Sequence, residues 1–173
     1  TLSDNEDTPG QVGLFLSRFQ INQFTNLRSL TVVEIGPEFW EPIVSQLVDL
    51  GNLRSFAYTT SNRSNSWITS IASSEVSALD KRLFESYKPI LPQLNRLQLS
   101  HGDFFQTAQF SNLRHLLIDR CSANIIKHLC NVAPYLRSLT AECQHRSSDT
   151  DLIFPFSQLN RLVLQIQGKN LID

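Results

Sequence analysis

The chain has 173 residues, 41% of them hydrophobic and only 18% charged, which excludes a disordered polyelectrolyte and allows one core of ordinary size without a disulfide or metal staple. Fifteen basic and sixteen acidic residues give a net charge of −1, so there is no basic excess to hold a phosphate backbone and no nucleic-acid partner is expected. No apolar run approaches the ~20 residues that span a bilayer, so no membrane partner is expected either.

Residues Thr1 to Gly10 are polar and carry Asp4, Glu6 and Asp7, the opposite of a basic and then apolar signal peptide. Leu2 reads as the tail of a strand. With no Met and a start at Thr1, the chain is expected to be a fragment of a longer one. Pro9 to Phe19 reads as a helix of mixed period. A phrase of the shape Leu-x-x-Leu-x-Leu follows, at Leu27, Leu30 and Val32. Pro37 to Leu50 has Phe39, Trp40, Ile43, Val44, Leu47 and Leu50 at helical spacing, with Pro37 near its start.

The phrase returns at Leu53, Phe56 and Tyr58. Thr59 to Ser66 is polar and strand-breaking, so it reads as a loop. Its Asn62-Arg63-Ser64 matches a glycosylation triplet of a kind common by chance. Ser74 to Lys88 carries Val76, Leu79, Leu83 and Tyr87, a helix capped by Ser74 and ended by Pro89. Further copies of the phrase stand at Leu94, Leu97 and Leu99, then at Leu113, Leu116 and Ile118. His101 to Gln109 shows no helical stripe. Ser122 to Asn131 reads as a helix with Ser122 as its cap and Ile125, Ile126 and Leu129 facing inward. The last copies are Leu136, Leu139 and Ala141, then Leu159, Leu162 and Leu164. Cys143 to Pro155, between them, again lacks a stripe.

The second and third apolar positions of each phrase are two apart, so they point to the same side of a strand, while the first covers the core from the preceding turn. Each copy predicts a short strand of four or five residues with one buried face. It cannot hide that face alone, so the copies must stack. The first leucines are separated by 26, 41, 19, 23 and 23 residues. Repeats of about 20–29 residues are the leucine-rich kind, and the interval of 41 must hold an insertion or a decayed repeat.

These phrases with intervening helices resemble a leucine-rich-repeat protein. Leu113-Arg-His-Leu116-Leu-Ile118-Asp-Arg-Cys121 carries Cys at the ninth position and resembles the cysteine-containing repeats of F-box proteins. The ninth position of the other copies holds Ile35, Ser61, Gly102, Gln144 and Gln167, and Cys143 stands one place early. The resemblance implies an α/β right-handed solenoid, a horseshoe arc with a parallel concave sheet, built from residues 1–173 as a single array. It further implies a protein-recognition module, the substrate-binding repeat region of an F-box-like ubiquitin-ligase subunit, with adaptor and cullin reached only through a segment outside this chain. The alternative is a leucine-rich scaffold or signalling protein with no ligase role.

Three cysteines in odd number argue for free thiols, which with the missing signal peptide points to the cytoplasm or nucleus. Cys121, His128, Cys130, Cys143 and His145 have zinc-ligating chemistry but no Cys-x-x-Cys pair, so no metal is expected. His145, Ser147, Ser148 and Asp149 hold the residue types of a hydrolase triad, yet they are sequence neighbours, and a triad converges from separate parts of a fold. No enzyme activity and no cofactor are expected. Trp40 lies in an apolar stripe and reads as core. Trp67 reads either as edge packing or as a partner contact.

The expected contact surface is the outward side of the strands. Its first rungs, Ser29, Thr31 and Val33, then Ser55, Ala57 and Thr59, are small and neutral. The later rungs carry larger and charged groups, where binding energy tends to concentrate. A protein partner is therefore expected on Arg96, Gln98, His115, Leu117, Asp119, Thr140, Glu142, Arg161 and Gln165. Ser100, Ser138 and Val163 share that side.

Overall fold

The computed structural model describes residues 1–4, 7–59, 88–101, 109–144 and 158–167. The predicted helix over Ser74–Lys88 (Lys88 excepted), the loop after Thr59, the Asn62 triplet, Trp67, His145 to Asp149 and the tail from Gly168 lie outside them.

Seven strands form one sheet: β1 (Leu2–Ser3), β2 (Ser29–Val33), β3 (Ser55–Thr59), β4 (Arg96–His101), β5 (His115–Ser122), β6 (Ser138–Gln144) and β7 (Arg161–Gln167). All neighbours pair in parallel, and the order across the sheet is the order along the chain. Leu2 is the first strand, paired to Val32, and the six leucine phrases are the other six. From β4 onward the strands run six to eight residues, longer than the expected four or five.

The phrases superpose in their bonding. Before four of them a tight turn closes on the first leucine, whose amide donates three residues back: Leu27 to Phe24, Leu53 to Leu50, Leu94 to Leu91 and Leu136 to Ala133. At the start of each strand one carbonyl accepts two amides from the next strand. Arg28 accepts from Arg54 and Ser55, Arg54 from Asn95 and Arg96, and Asn95 from Arg114 and His115. Arg114 then accepts from Arg137 and Ser138, and Arg137 from Asn160 and Arg161. One register thus carries through β2 to β7 and aligns Leu30, Phe56, Leu97, Leu116, Leu139 and Leu162 in one row.

Helices α1 (Gln11–Arg18), α2 (Pro37–Leu47) and α3 (Ala123–Val132) cover one face of the sheet. Their stripes (Val12; Trp40, Ile43, Val44 and Leu47; Ile125, Ile126 and Leu129) join the inward strand residues in one buried cluster. Gly10 precedes α1 with φ of 74°, a left-handed entry that costs glycine little. Pro42 sits inside α2 on its exposed side, where the carbonyl that loses its partner can bond water. Ser122 stands at the cap of α3, but its side chain makes no capping bond. As the last residue of β5, its backbone is already committed to the sheet. Two short 3₁₀ turns, Ile21–Gln23 and Lys88–Gln93, complete the helical layer, with Ile21, Ile90 and Leu91 in the core. No helix among the described residues is long and apolar enough to cross a membrane.

The row of inward residues does not end as it runs. Leu30, Phe56, Leu97, Leu116 and Leu139 are buried, whereas Leu162 is 41% exposed and Leu159 and Leu164 are only half-buried. β7 is the outermost strand, with one neighbour instead of two.

Candidate functional site

Opposite the helices, the outward side chains align in rows because parallel strands are in register. The first row, nearest the strand starts, is Ser29, Ser55, Arg96, His115, Ser138 and Arg161. The second is Thr31, Ala57, Gln98, Leu117, Thr140 and Val163. Arg96, His115, Arg161 and Gln165 are exposed, while Gln98, Leu117, Asp119, Thr140 and Glu142 are half-buried among their neighbours. All nine predicted contact residues therefore lie on one face within four adjacent strands. With strands ~4.8 Å apart, the patch from β4 to β7 is roughly 15 Å wide. Gln98 donates through Nε2 to Thr59 Oγ1 at 3.4 Å, which links the patch to the neutral rungs of β3.

Ser100 departs from expectation. It has the outward phase but is only 5% exposed. Other serines of that face, Ser29, Ser55 and Ser138, are exposed or half-buried, so the covering comes from the neighbours of Ser100 and the face presents no serine there.

The third row is broken by a bulge. Ile118 pairs with Ala141 and Cys121 pairs with Cys143, so Asp119 and Arg120 of β5 oppose Glu142 alone on β6. The extra residue turns Arg120, which strict alternation would point into the core, to a half-exposed position. It also returns Cys121 to the buried side. Arg120 thus joins Asp119 and Glu142 at the trailing end of the strands, a charged residue that alternation alone could not assign to the face. Cys143 appears one place early by count, yet it lies level with Cys121, their sulfurs 3.8 Å apart. Burial pushes the Cys143 thiol up, against a smaller lowering by its hydrogen bond with Cys121.

A second set of residues surrounds the leading ends of the strands. The residue before the first leucine of each phrase is Asn26, Asn52, Gln93, Asn112, Tyr135 or Gln158. Three of these amides stitch one repeat to the one before: Asn52 Nδ2 donates to the Thr25 carbonyl at 3.0 Å, Gln93 Nε2 to Leu50 at 3.3 Å and Asn112 Nδ2 to Pro92 at 2.7 Å. The recurrence of an amide in five copies of six was the sequence signal for this ladder. Where Tyr135 replaces the amide, a cleft of about 280 Å³ opens, lined by Ser111, Asn112, Arg114, Tyr135, Arg137 and Gln158.

The charges are unevenly spread along the strands, with Arg120 the one described arginine late in a strand. Arg28, Arg54, Arg96, Arg114, Arg137 and Arg161 stand at the leading ends. Asp4 and Glu34 follow β1 and β2, and Asp119 and Glu142 lie late in β5 and β6. Among the described residues no group of three or more His, Cys, Asp or Glu side chains could hold a metal ion. Comparison with protein-family models, with curated proteins and with solved structures finds no match to this chain.

Proposed function

We propose that this chain is a protein-recognition module: an arc of a right-handed leucine-rich-repeat solenoid whose open sheet face is the concave, partner-binding surface. On this reading it is the substrate-binding repeat region of an F-box-like ubiquitin-ligase subunit in the cytoplasm or nucleus. It carries out no chemistry of its own, and a segment outside this chain makes the link to adaptor and cullin. The observation that carries the reading is the face itself, on which two rows of mostly polar and charged side chains stand in common register on a hydrogen-bonded sheet. Such a surface loses little conformational freedom on binding, so the contacts made by Arg96, His115, Thr140, Glu142 and Arg161 are not spent on ordering the protein. The two-amide bonding repeated from β2 to β7 supports the repeat architecture, because it requires each unit to sit on the last in the same way.

The test is site-directed photo-crosslinking. A photoreactive residue at Thr140 on the open face should capture a protein that the same residue at Lys127, exposed on α3, does not. The captured protein should be ubiquitylated in cells and should live longer when the recognition protein is depleted. Capture at Thr140 without any change in lifetime would replace the ligase role with that of a scaffold. Equal capture at both positions would overturn the assignment of the face.

A further inference from the structure

The cleft at the leading ends of β5 and β6 lies off the sheet face, and it has the composition of an anion seat. Arg114 and Arg137 occupy equivalent positions on neighbouring strands, the Arg137 amide donating to the Arg114 carbonyl at 2.8 Å. Their guanidinium groups therefore flank one opening, and both residues are exposed. Among the described residues no side-chain hydrogen bond or ion pair engages either. Among the described residues the remaining lining is Ser111, Asn112, Tyr135 and Gln158, none of them acidic. Ser111 and Asn112 both donate to the Pro92 carbonyl, at 3.4 and 2.7 Å, which fixes one wall to the preceding turn. Tyr135, 53% exposed, interrupts the amide ladder and leaves its phenol at the rim. Arg96 and Arg161 stand in the next row of the sheet, on β4 and β7, beside His115 and Ser138.

We propose that this cleft seats a side-chain carboxylate of an acidic segment of a partner protein, held between Arg114 and Arg137. Two forked guanidinium donors with a phenol and an amide suit a planar oxyanion. A volume of about 280 Å³ takes one or two side chains and falls short of a cofactor-sized pocket. Nucleic acid fits poorly, because a chain of net charge −1 offers a long polyanion no basic excess to follow. A short acidic segment needs only the two arginines of the cleft and its neutral polar lining. Because the site is exposed, its affinity falls with salt. The seat is independent of whether the sheet face itself binds a protein.

The experiment is fluorescence anisotropy at low and physiological salt, using a labelled Gly/Ser peptide with a central run of glutamates. The chain should bind this peptide and not its glutamine counterpart. Arg114→Ala/Arg137→Ala should weaken binding about tenfold or more, the loss expected for exposed charge-assisted bonds. Arg28→Ala, on the same edge but at β2, should change it less than twofold. Tyr135→Asn, which restores the amide found in the other copies, should weaken binding while leaving the circular dichroism melt in place. Equal affinity in the double variant, or binding of the glutamine peptide, would overturn the proposal. Tighter binding of a phosphoserine peptide would move the seat to phosphate, and stronger competition by a single-stranded oligonucleotide would move it to nucleic acid. Complete displacement by equimolar inorganic phosphate would reduce it to a small-anion site. Each of these three results would also overturn the proposal.

Discussion

Cys121 and Cys143 lie side by side in the core, their sulfurs 3.8 Å apart, although they hold different places in the leucine phrase. The bulge formed by Asp119 and Arg120 against Glu142 takes up the difference of one residue. One strand gains a residue and twists, and both thiols end on the buried side of the sheet.

The first expectation concerns these thiols. Cys121 and Cys143 are each 4% exposed, so both should resist a thiol reagent in the native chain and react once it is unfolded in denaturant. Burial raises the pKa of Cys143 and of Cys130 above the ordinary 9.0. The unfolded chain then releases these protons at lower pH than the folded chain does. The contribution to stability is present below pH 9 and is lost as pH rises through the folded values. Urea melts at pH 8 and pH 10 should show a loss that is smaller in Cys130→Ala/Cys143→Ala. An equal loss in that variant would place the alkaline sensitivity elsewhere.

Adjacent residues of β5 should behave oppositely. Leu116 is buried and His115 is exposed. Leu116→Ala should destabilise by about 2–5 kcal/mol, because it removes apolar contact and leaves a cavity. His115→Ala should change stability by no more than about 0.5 kcal/mol. Denaturant melts of the two variants measure the difference directly.

Equivalent leucines in one row should also differ. Leu139 is fully buried, whereas Leu162, its partner on β7, is 41% exposed. Leu139→Ala should cost about 2–5 kcal/mol and Leu162→Ala less than half as much, since part of that side chain already meets water. A leucine left open to water on a strand that, among the described residues, has one neighbour invites association. The chain should therefore sediment as more than a monomer at high concentration, and Leu162→Lys should shift it towards monomer. A wild-type chain that stays monomeric would show that β7 is protected.

The polar stitches can be ranked in the same way. Asn52→Ala removes the bond from Asn52 to the Thr25 carbonyl and should cost about 0.5–1.5 kcal/mol. Ser122→Ala at the start of α3 should cost less than about 0.5 kcal/mol, below the usual ~1 kcal/mol for a capping serine, because its side chain makes no capping bond. Thermal melts should reproduce that order, which a count of helix-cap residues would reverse.

Much of this protein was legible in its residues. The six leucine phrases specified six strands, their inward and outward sides and their adjacency, because a side-chain period of two and a shared register are local properties repeated at each copy. Helices α2 and α3 followed from their apolar stripes, while α1, of mixed period, buries Val12 and leaves Leu14 exposed; the nine contact residues fell on one face because the strand period is two. What depended on neighbours could not be read in this way. Ser100 is covered because of what surrounds it, and Leu162 is exposed because its strand is outermost. Arg120 is half-exposed and Cys143 meets Cys121 where one strand bulges against another, a relation between two segments that neither sequence contains alone. The cleft between Arg114 and Arg137 is lined by Tyr135, which stands where other copies bear an amide. Its chemistry is written in those residues, but stacking alone brings them to one opening, since the strands that carry them are neighbours in space only after the repeats have packed.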